Sequence, residues 1–307
     1  MPSSGPIDMP AIVECVPNFS EGRRKEVVDK IVYSIRSVPG IKILDVEMDP
    51  DHNRSVVTFA GGKDNILEGA FRGARAASEL IDLNKHRGQH PRMGALDVLP
   101  FVPISGVTLD DCVEIANKVG MRIAKELKIP VYLYEAAAKK PERVNLENVR
   151  RGEFEGLREA ILQDDSRYPD YGPRKIHPTA GATAVGARMP LIAFNVNLRS
   201  TDVKVAKDIA RKIRASSGGL PKVKALGFAL EARGMVQVSM NLTDYTVTPI
   251  STVFEAVKKE AEARGVEVAE SEIIGLIPLD AVCDLAAKFL KIGSFTSNQV
   301  LERRIWG

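Results

Sequence analysis

Two histidines in the stretch HRGQHPRMGALD, which runs from His86 to Asp97, are the side chains of this sequence best suited to chemistry. The chain has 4 histidines in all. These two lie four residues apart, with Gly88 between them and Pro91 directly after the second. A metal pair, a catalytic acid/base and a basic surface turn are three interpretations of this pattern.

The metal interpretation conflicts with the backbone. Histidines four residues apart converge on one ion only when both lie on one continuous helix, as in the HExxH pattern of zinc proteases. Gly88 weakens such a helix, and Pro91 pushes His90 itself out of the helical region. His52 and His177 are the other histidines, and the cysteines show no CxxC spacing. We therefore expect no metal site.

The acid/base interpretation places His90 in a loop between a helix and a strand, where a rigid scaffold commonly displays catalytic side chains. An imidazole has an unperturbed pKa of about 6.5, so it can give or take a proton in a reaction at a nitrogen. Arg92 would then hold an anionic group of a substrate, and Asp97 would orient or polarise a neighbour. The alternative is a surface turn whose histidines only hydrogen-bond the helix end, and composition does not separate the two.

A second polar turn, DPDHNRS, brings Asn53 and Arg54 to the start of a predicted strand. In a split β-α-β domain such turns can contact a ligand on the face of the sheet. A plain hairpin turn is the alternative.

A third candidate is the segment PDYGPRKIHPTAGATAVGARM, which is rich in proline and glycine and contains Arg174, Lys175, His177 and Arg188. It has neither the GxxxxGK[ST] phosphate loop nor the dinucleotide fingerprint. We interpret it as a domain junction, a common position for ligand clefts. A basic cleft there would suit a ligand with several carboxylates.

Composition excludes several classes of protein. The 307 residues are 44% hydrophobic and 27% charged, and no apolar run approaches the length of a membrane helix. A net charge of +3 with interspersed signs does not indicate a nucleic-acid surface. The N-terminus MPSSGPIDMP lacks the features of a signal peptide. We expect a cytoplasmic protein with reduced, buried thiols and no membrane or nucleic-acid partner.

The elements that must position these residues follow one order in both halves of the chain: strand, helix, strand, strand, helix, strand, helix. The first half is predicted as strand 11–17, a helix from Ser20, strands 41–48 and 55–61 in a hairpin, helix 65–85, strand 95–104, helix 109–127 and strand 130–134. Two prolines in strand 95–104 favour an edge position or an interruption. Residues 135–189 show no strong strand and one helix near 153–162.

The second half is predicted as strand 190–198, helix 201–215, strands 223–230 and 235–242, helix 250–263, a further strand and a final helix 279–289. The order is that of the split β-α-β arrangement. We predict the α/β (α+β) class, with two ferredoxin-like split β-α-β subdomains in tandem. Residues 1–10 are expected to be a disordered lead-in, 11–180 the N-terminal subdomain with the junction loop, and 181–307 the C-terminal subdomain.

Several blocks in this order resemble the glutamate formimidoyltransferase (formiminotransferase) family: VECVPNFSEGR, HNRSVVTFAG, HRGQHPRMGALDVLPFVPISG, PVYLYEAAA, YPDYGPR and GATAVGARMPLIAFNVNL. The resemblance covers nearly the whole chain. It implies a homodimeric transferase that moves a formimino group from N-formimino-L-glutamate to N-5 of tetrahydrofolate, in histidine degradation and one-carbon metabolism. It also implies a stand-alone form without the cyclodeaminase domain.

The resemblance assigns residue roles as well. The family's catalytic histidine falls on His90, as the proton donor to the departing glutamate, and His86 becomes a supporting residue. Arg54 and Arg92 would clamp the glutamate carboxylates, because arginine donates paired hydrogen bonds. The expected substrate-binding set is Asn53, Arg54, His86, Arg92 and Asp97. The family's folate-binding stretch falls on Gly172, Pro173, Arg174, Lys175, Ile176, His177, Pro178, Thr179, Ala180 and Gly181.

Two alternatives remain open at the level of sequence. One is formyl transfer between 5-formyltetrahydrofolate and glutamate, because formyl and formimino groups differ by one exchange of oxygen for NH. The other is a folate-binding protein without turnover. Comparison of the formimino and formyl donors in one assay distinguishes formyl transfer from formimino transfer. Folate binding without any transfer would identify the binding protein.

Overall fold

The structure is a computed structural model that describes residues 11–306. The chain forms two compact units that divide after Arg188. The predicted division lay between residues 180 and 181, and the structural one comes eight residues later because a strand at Thr183–Ala187 joins the first sheet. The expected disordered lead-in, residues 1–10, lies outside the described residues.

The first unit is built around a ferredoxin-like core. Its first strand is split into β1 (Ile12–Cys15) and β2 (Asn18–Phe19), and α1 (Lys25–Arg36) leads to the hairpin β3 (Lys42–Asp49) and β4 (Arg54–Gly61). Helix α2 (Lys63–Leu80) then leads to β5 (Leu96–Ser105). β4 pairs antiparallel with β1, β2 and β3, and β5 pairs with β1 and β2. The split β-α-β order predicted from the sequence is confirmed.

Apolar spacing explains the two helices of this core. Helix α1 buries a stripe of valines and isoleucines at three- and four-residue steps, Val27, Val28, Ile31, Val32 and Ile35. Helix α2 buries smaller residues, among them Ala70, Ala74 and Ala77. Ile81 adopts an extended conformation, so α2 ends at Leu80 and not near Lys85 as predicted. Residues 81–95 are thereby left to form the loop that carries His86 and His90.

A second part of the first unit extends the sheet. Helix α3 (Leu109–Arg122) continues into a π-helical turn (Ile123–Leu127) and is followed by β6 (Val131–Glu135), α4 (Leu146–Val149), α5 (Glu153–Gln163) and β7 (Thr183–Ala187). β7 lies between β5 and β6 and is parallel to both. Its sequence, TAVGA, is buried at every position. Small residues give a weak strand signal, which is why the prediction of no strong strand between 135 and 189 was wrong.

The edge position predicted for β5 was also wrong, since β5 pairs with β1 and β2 on one side and β7 on the other. The carbonyl of Pro100 accepts from the Val16 amide at 3.3 Å. A residue's N–H and C=O point to the same side of a strand, so the missing donor of Pro100 faces the gap between β1 and β2. The first strand is interrupted between β1 and β2, opposite Pro100, so the proline costs no backbone hydrogen bond at that position.

The second unit is a four-stranded antiparallel ferredoxin-like sheet. Its strands are β8 (Ile192–Leu198), β9 (Val223–Leu230), β10 (Met235–Leu242) and β11 (Val268–Ile274), in the spatial order β11-β8-β10-β9. Helices α6 (Val203–Ile213) and α7 (Ile250–Glu262) pack their apolar stripes on one face. Helices α8 (Leu279–Leu290) and α9 (Leu301–Trp306) follow. The second ferredoxin-like unit of the predicted fold class is confirmed, and α9 was not foreseen.

Among residues 11–306, no helix is both long and apolar enough to cross a bilayer.

Candidate active site

The loop between α2 and β5 is fastened to the turn between β3 and β4. The side-chain Nδ2 of Asn53 donates to the Arg87 carbonyl at 2.9 Å, and the backbone carbonyl of Asn53 lies 2.8 Å from Nε2 of His86. Oδ1 of Asn53 accepts from the Gly22 amide at 3.0 Å. Asn53 holds a left-handed backbone with φ +49°, which asparagine tolerates better than most residues. The turn and the loop therefore form one polar layer.

Gly88 permits the close approach of these two segments. A Cβ atom built at Gly88 would lie 2.1 Å from the His52 carbonyl oxygen and 2.9 Å from Cβ of Asn53. Both distances are far inside van der Waals contact, and the closest atom belongs to the backbone. The glycine between the two histidines is therefore required by packing.

Replacing Gly88 with alanine is expected to lower both stability and kcat, although residue 88 takes no part in chemistry. The turn and loop must separate, which costs about 1–3 kcal/mol of unfolding free energy and misplaces the histidines by enough to lower kcat at least tenfold. Urea unfolding and steady-state kinetics measure the two effects.

Gly156→Ala in α5 is the matched control, because a Cβ there meets no atom within 4 Å. This variant should keep full activity and be as stable as the parent protein or more so. Equal behaviour of the two variants would contradict the packing role of Gly88.

His90 is half-buried in this loop. Its Nδ1 lies 2.7 Å from the Pro91 carbonyl oxygen. A carbonyl only accepts, so Nδ1 carries the hydrogen and Nε2 carries the lone pair. Burial, with the positive charges of Arg54 and Arg150, lowers the pKa of His90 to about 4. The ring is therefore neutral at pH 7 and presents Nε2 as a proton acceptor.

A buried carboxylate joins two arginines beside His90. Oδ2 of Asp97, which is fully buried, accepts from Nη1 of Arg54 at 2.9 Å and from Nη2 of Arg150 at 2.6 Å. Its Oδ1 accepts from the Met93 amide at 2.8 Å. Burial disfavours the charged carboxylate, but Arg150, Arg54 and the Met93 amide outweigh it and hold the pKa of Asp97 below its usual range. The cluster carries one net positive charge.

One donor of Arg150 is unpaired. Its Nε is buried and has no hydrogen-bond partner among residues 11–306. A buried donor without a partner is costly, and such groups normally pair with protein, water or ligand. Arg54 is more fully engaged, because its Nε and Nη2 donate to Oδ1 of Asn18 at 3.1 and 2.9 Å. Arg150 was not predicted as a site residue, because it lies in the run NVRRG, which matches no motif.

Arg92 does not join the Asp97 cluster but binds two glutamates and His86. Its guanidinium binds Glu155 through both Nη atoms at 2.7 Å each, and Nη1 also binds Glu153 at 3.2 Å. Its Nε donates to Nδ1 of His86 at 3.2 Å. These contacts leave His86 with its hydrogen on Nε2, pointing at Asn53. Arg92 and His86 thus support the loop through contacts with α5 and with the turn between β3 and β4. They lie next to the cluster that contains Arg54 and Asp97.

The predicted folate-binding stretch Gly172–Gly181 belongs to the first unit. Its end packs on the loop of His90: the Ala95 amide donates to the Ala180 carbonyl at 2.9 Å, and Gly94 forms a bridge with Gly181. Within the stretch, Nδ1 of His177 accepts from the Ala180 amide at 3.0 Å. The structure thus brings together the end of this stretch and the residues that follow His90.

The beginning of the same stretch is exposed and basic. Residues 172–175 lie open to solvent, and the Arg174 guanidinium stacks on the Tyr168 ring at 3.5 Å. Ile176 is buried and anchors the segment to the core of the unit. The stretch therefore places exposed positive charge directly before an anchored turn.

Metal ligands do not cluster in the described part of the chain. No group of three or more histidine, cysteine, aspartate or glutamate side chains that could hold an ion occurs among residues 11–306.

Fold and site together define a class of protein. It is an α/β protein of two tandem ferredoxin-like units, the first of which holds a neutral histidine beside a buried arginine pair.

Comparison with known proteins identifies the family. Residues 12–188 match the formiminotransferase domain, N-terminal subdomain, and residues 193–302 match the formiminotransferase domain. The chain is 50% identical over 300 residues to a glutamate formimidoyltransferase of Streptococcus pyogenes serotype M1, covering 97% of this chain and 100% of that protein. A glutamate formimidoyltransferase of Thermoplasma acidophilum is 48% identical, with 96% and 97% covered. The chain belongs to the formiminotransferase family.

A longer relative aligns with the same region. The formimidoyltransferase-cyclodeaminase of Rattus norvegicus is 47% identical over 285 residues, which cover 91% of this chain and 52% of that protein. The chain thus matches about half of the two-activity relative and nearly all of the stand-alone relatives.

Proposed function

We propose that this protein is a glutamate formimidoyltransferase, which moves the formimino group of N-formimino-L-glutamate to N-5 of tetrahydrofolate. The observation that carries the proposal is the identity of 48–50% to proteins of that name over nearly the whole chain. The neutral His90 beside buried arginines is compatible with the chemistry. Tetrahydrofolate is the co-substrate, and the reaction as written requires no metal.

His90 acts first as a base in this proposal. The N-5 amine of tetrahydrofolate attacks the amidine carbon, and Nε2 of His90 takes the N-5 proton as the bond forms. Its pKa of about 4 supports this order, because a ring that is neutral at rest cannot begin as an acid. Donation of a proton to glutamate, the role expected from the sequence, can follow only once the ring has been charged.

Arg150 and Arg54 bind a carboxylate of the glutamate moiety. The unpartnered Nε of Arg150 and the net positive charge of the Arg54–Asp97–Arg150 cluster support this assignment. Arg92, with its bidentate contact to Glu155, is the weaker candidate for the carboxylate. We assign Arg92, His86 and Asn53 to support of the loop.

The stretch Gly172–Gly181 binds the folate. Its packing against residues 93–95 supports a position near His90 for the pterin, and the exposed Arg174 and Lys175 support contact with the carboxylates of the folate tail. We also infer a homodimer, as the family resemblance implies, and a cytoplasmic location. Light scattering of the purified protein measures the subunit number.

Glutamate release tests the proposed function. Purified protein should form glutamate from N-formimino-L-glutamate only when tetrahydrofolate is present, in equal amount to 5-formiminotetrahydrofolate. The same assay with 5-formyltetrahydrofolate and glutamate should be slower. No turnover with tetrahydrofolate present, or a strong preference for formyl transfer, would overturn the proposal.

The pH profile of kcat/KM is expected to follow His90. The base is active when neutral, so activity stays level from neutral pH downward and decreases only as the pH falls through about 4. Arg150→Gln removes a positive charge that lowers the pKa of His90, so the acid limb should move up toward the ordinary value of about 6.5. A pH profile of the two proteins measures the shift.

The same Arg150→Gln variant should raise the KM for formiminoglutamate about 10- to 100-fold, which is the cost of one charge-assisted hydrogen bond. Arg151→Gln is the matched control, because Arg151 is exposed next to it. An unchanged acid limb together with an unchanged KM would remove Arg150 from the site.

A further inference from the structure

A second histidine lies beside His90 and has a carboxylate partner. His52 lies in the turn between β3 and β4, with its Nδ1 2.6 Å from Oδ2 of Asp49. The rings of His52 and His90 are 6.1 Å apart, centroid to centroid, in an edge-to-face arrangement of 70°. The side chain of His52 is 47% exposed, so a substrate can reach it.

Asp49 is held in place for this contact. Its Oδ1 accepts from the backbone amides of Asp51 and His52, at 2.9 Å each. These amide bonds, that of His52 foremost, keep the pKa of Asp49 below its usual range, although burial opposes them slightly. The carboxylate is therefore charged and fixed, and it sets the tautomer of His52 with hydrogen on Nδ1.

The two rings have opposite surroundings. Nδ1 of His90 faces a neutral carbonyl, with Arg54 and Arg150 nearby, whereas Nδ1 of His52 faces an anion. A protonated His52 has an ion-pair partner, and a protonated His90 has two repelling cations. Neither Nε2 atom has a hydrogen-bond partner within the described chain. Neighbouring groups with divergent environments are the usual arrangement for an acid and a base.

We propose that His52 is a second catalytic residue, the general acid that protonates the departing glutamate nitrogen, with Asp49 as its positioning residue. The proposal rests on the proposed transferase function. The N-5 to carbon bond forms while Nε2 of His90 takes the N-5 proton. The carbon–nitrogen bond to glutamate then breaks, its electron pair stays on the glutamate nitrogen, and the charged form of His52, which carries hydrogen on both ring nitrogens, supplies its Nε2 proton.

The protons balance over the cycle. One is removed from N-5 and one is delivered to glutamate, which leaves His90 charged and His52 neutral. Transfer from His90 to His52 through a water molecule restores the starting state. Arg54 and Arg150 repel the charged ring of His90, whereas the Asp49 carboxylate is the ion-pair partner of the charged ring of His52.

Isotope-resolved kinetics test the proposal with the natural substrates. His52→Gln should lower kcat about 100-fold with little change in either KM. Loss of the acid makes cleavage of the carbon–nitrogen bond rate-limiting, so the ¹⁵N isotope effect at the departing glutamate nitrogen should rise above that of the parent protein. Asp49→Asn should lower kcat about tenfold with the same rise.

Asp51→Asn is the matched control, because it removes an aspartate from the same turn and should leave kcat and the isotope effect unchanged. Full activity of His52→Gln would overturn the proposal. A lower kcat without a larger isotope effect would overturn it as well, because it indicates a structural role. Failure of the parent protein to release glutamate would instead defeat the proposed function.

Discussion

His90→Ala is expected to lower kcat about 100- to 10,000-fold, the usual contribution of a positioned acid/base group. The variant removes the neutral Nε2 that accepts the N-5 proton, and no other ring of the loop replaces it, because both ring nitrogens of His86 are engaged by Asn53 and Arg92. Both KM values should change less than about threefold, since His90 acts in the transition state and not in binding. Steady-state kinetics with formiminoglutamate and tetrahydrofolate measure the loss.

Gln89→Ala is the control for this prediction, because Gln89 is the exposed neighbour in the same loop and bonds to the turn only through its backbone amide. It should keep kcat within about twofold. The ¹⁵N isotope effect of His90→Ala should not rise, because attack at the amidine carbon, and not departure of glutamate, becomes slower. Near-normal kcat in a folded His90→Ala protein would contradict the base role.

Sequence patterns were sufficient for most of the fold because the relevant signals are local. Apolar steps of three and four residues located α1 and α2, and a turn-rich segment between two predicted strands located the hairpin β3–β4. β7 was missed because a parallel strand that is buried on both faces shows no alternation of apolar and polar residues, and the small residues of TAVGA give no other strand signal. The prolines of β5 suggested an edge strand. Whether the absent N–H of Pro100 costs a hydrogen bond depends on the gap between β1 and β2, which only the tertiary structure shows.

The candidate site divides in the same way. The spacing of His90 and Pro91 indicated a loop histidine, and the packing of the Gly172–Gly181 stretch on that loop accords with their expected association. Arg150 has no sequence signal, since it and Asp97 are 53 positions apart in the chain. The turn DPDHNRS indicated His52 and Asp49 only as members of a polar turn, because the role proposed for His52 depends on ring geometry. The lowered pKa of His90 likewise arises from cations that the fold brings near.

Asp97→Ala is expected to destabilise the first unit by about 3–5 kcal/mol, the usual cost of removing one partner from a buried ion pair. Asp97 is fully buried, and the side chains of Arg54 and Arg150 are only 10% and 14% exposed. Without the carboxylate, two guanidinium groups face each other away from water, and the Met93 amide loses its acceptor. Urea unfolding monitored by circular dichroism measures the change in the unfolding free energy of the first unit.

Asp29→Ala is the control, because Asp29 pairs with Lys25 at 2.7 Å while both side chains are more than half exposed. An exposed helix pair contributes about 0.3–0.5 kcal/mol, so this variant should be nearly as stable as the parent protein. The double variant Asp97→Ala, Arg150→Gln should lose less than the sum of the single losses, because it removes one of the two unpaired cations. Additive losses in that cycle, or a loss for Asp97→Ala no larger than for Asp29→Ala, would show that the buried carboxylate does not hold the arginines together.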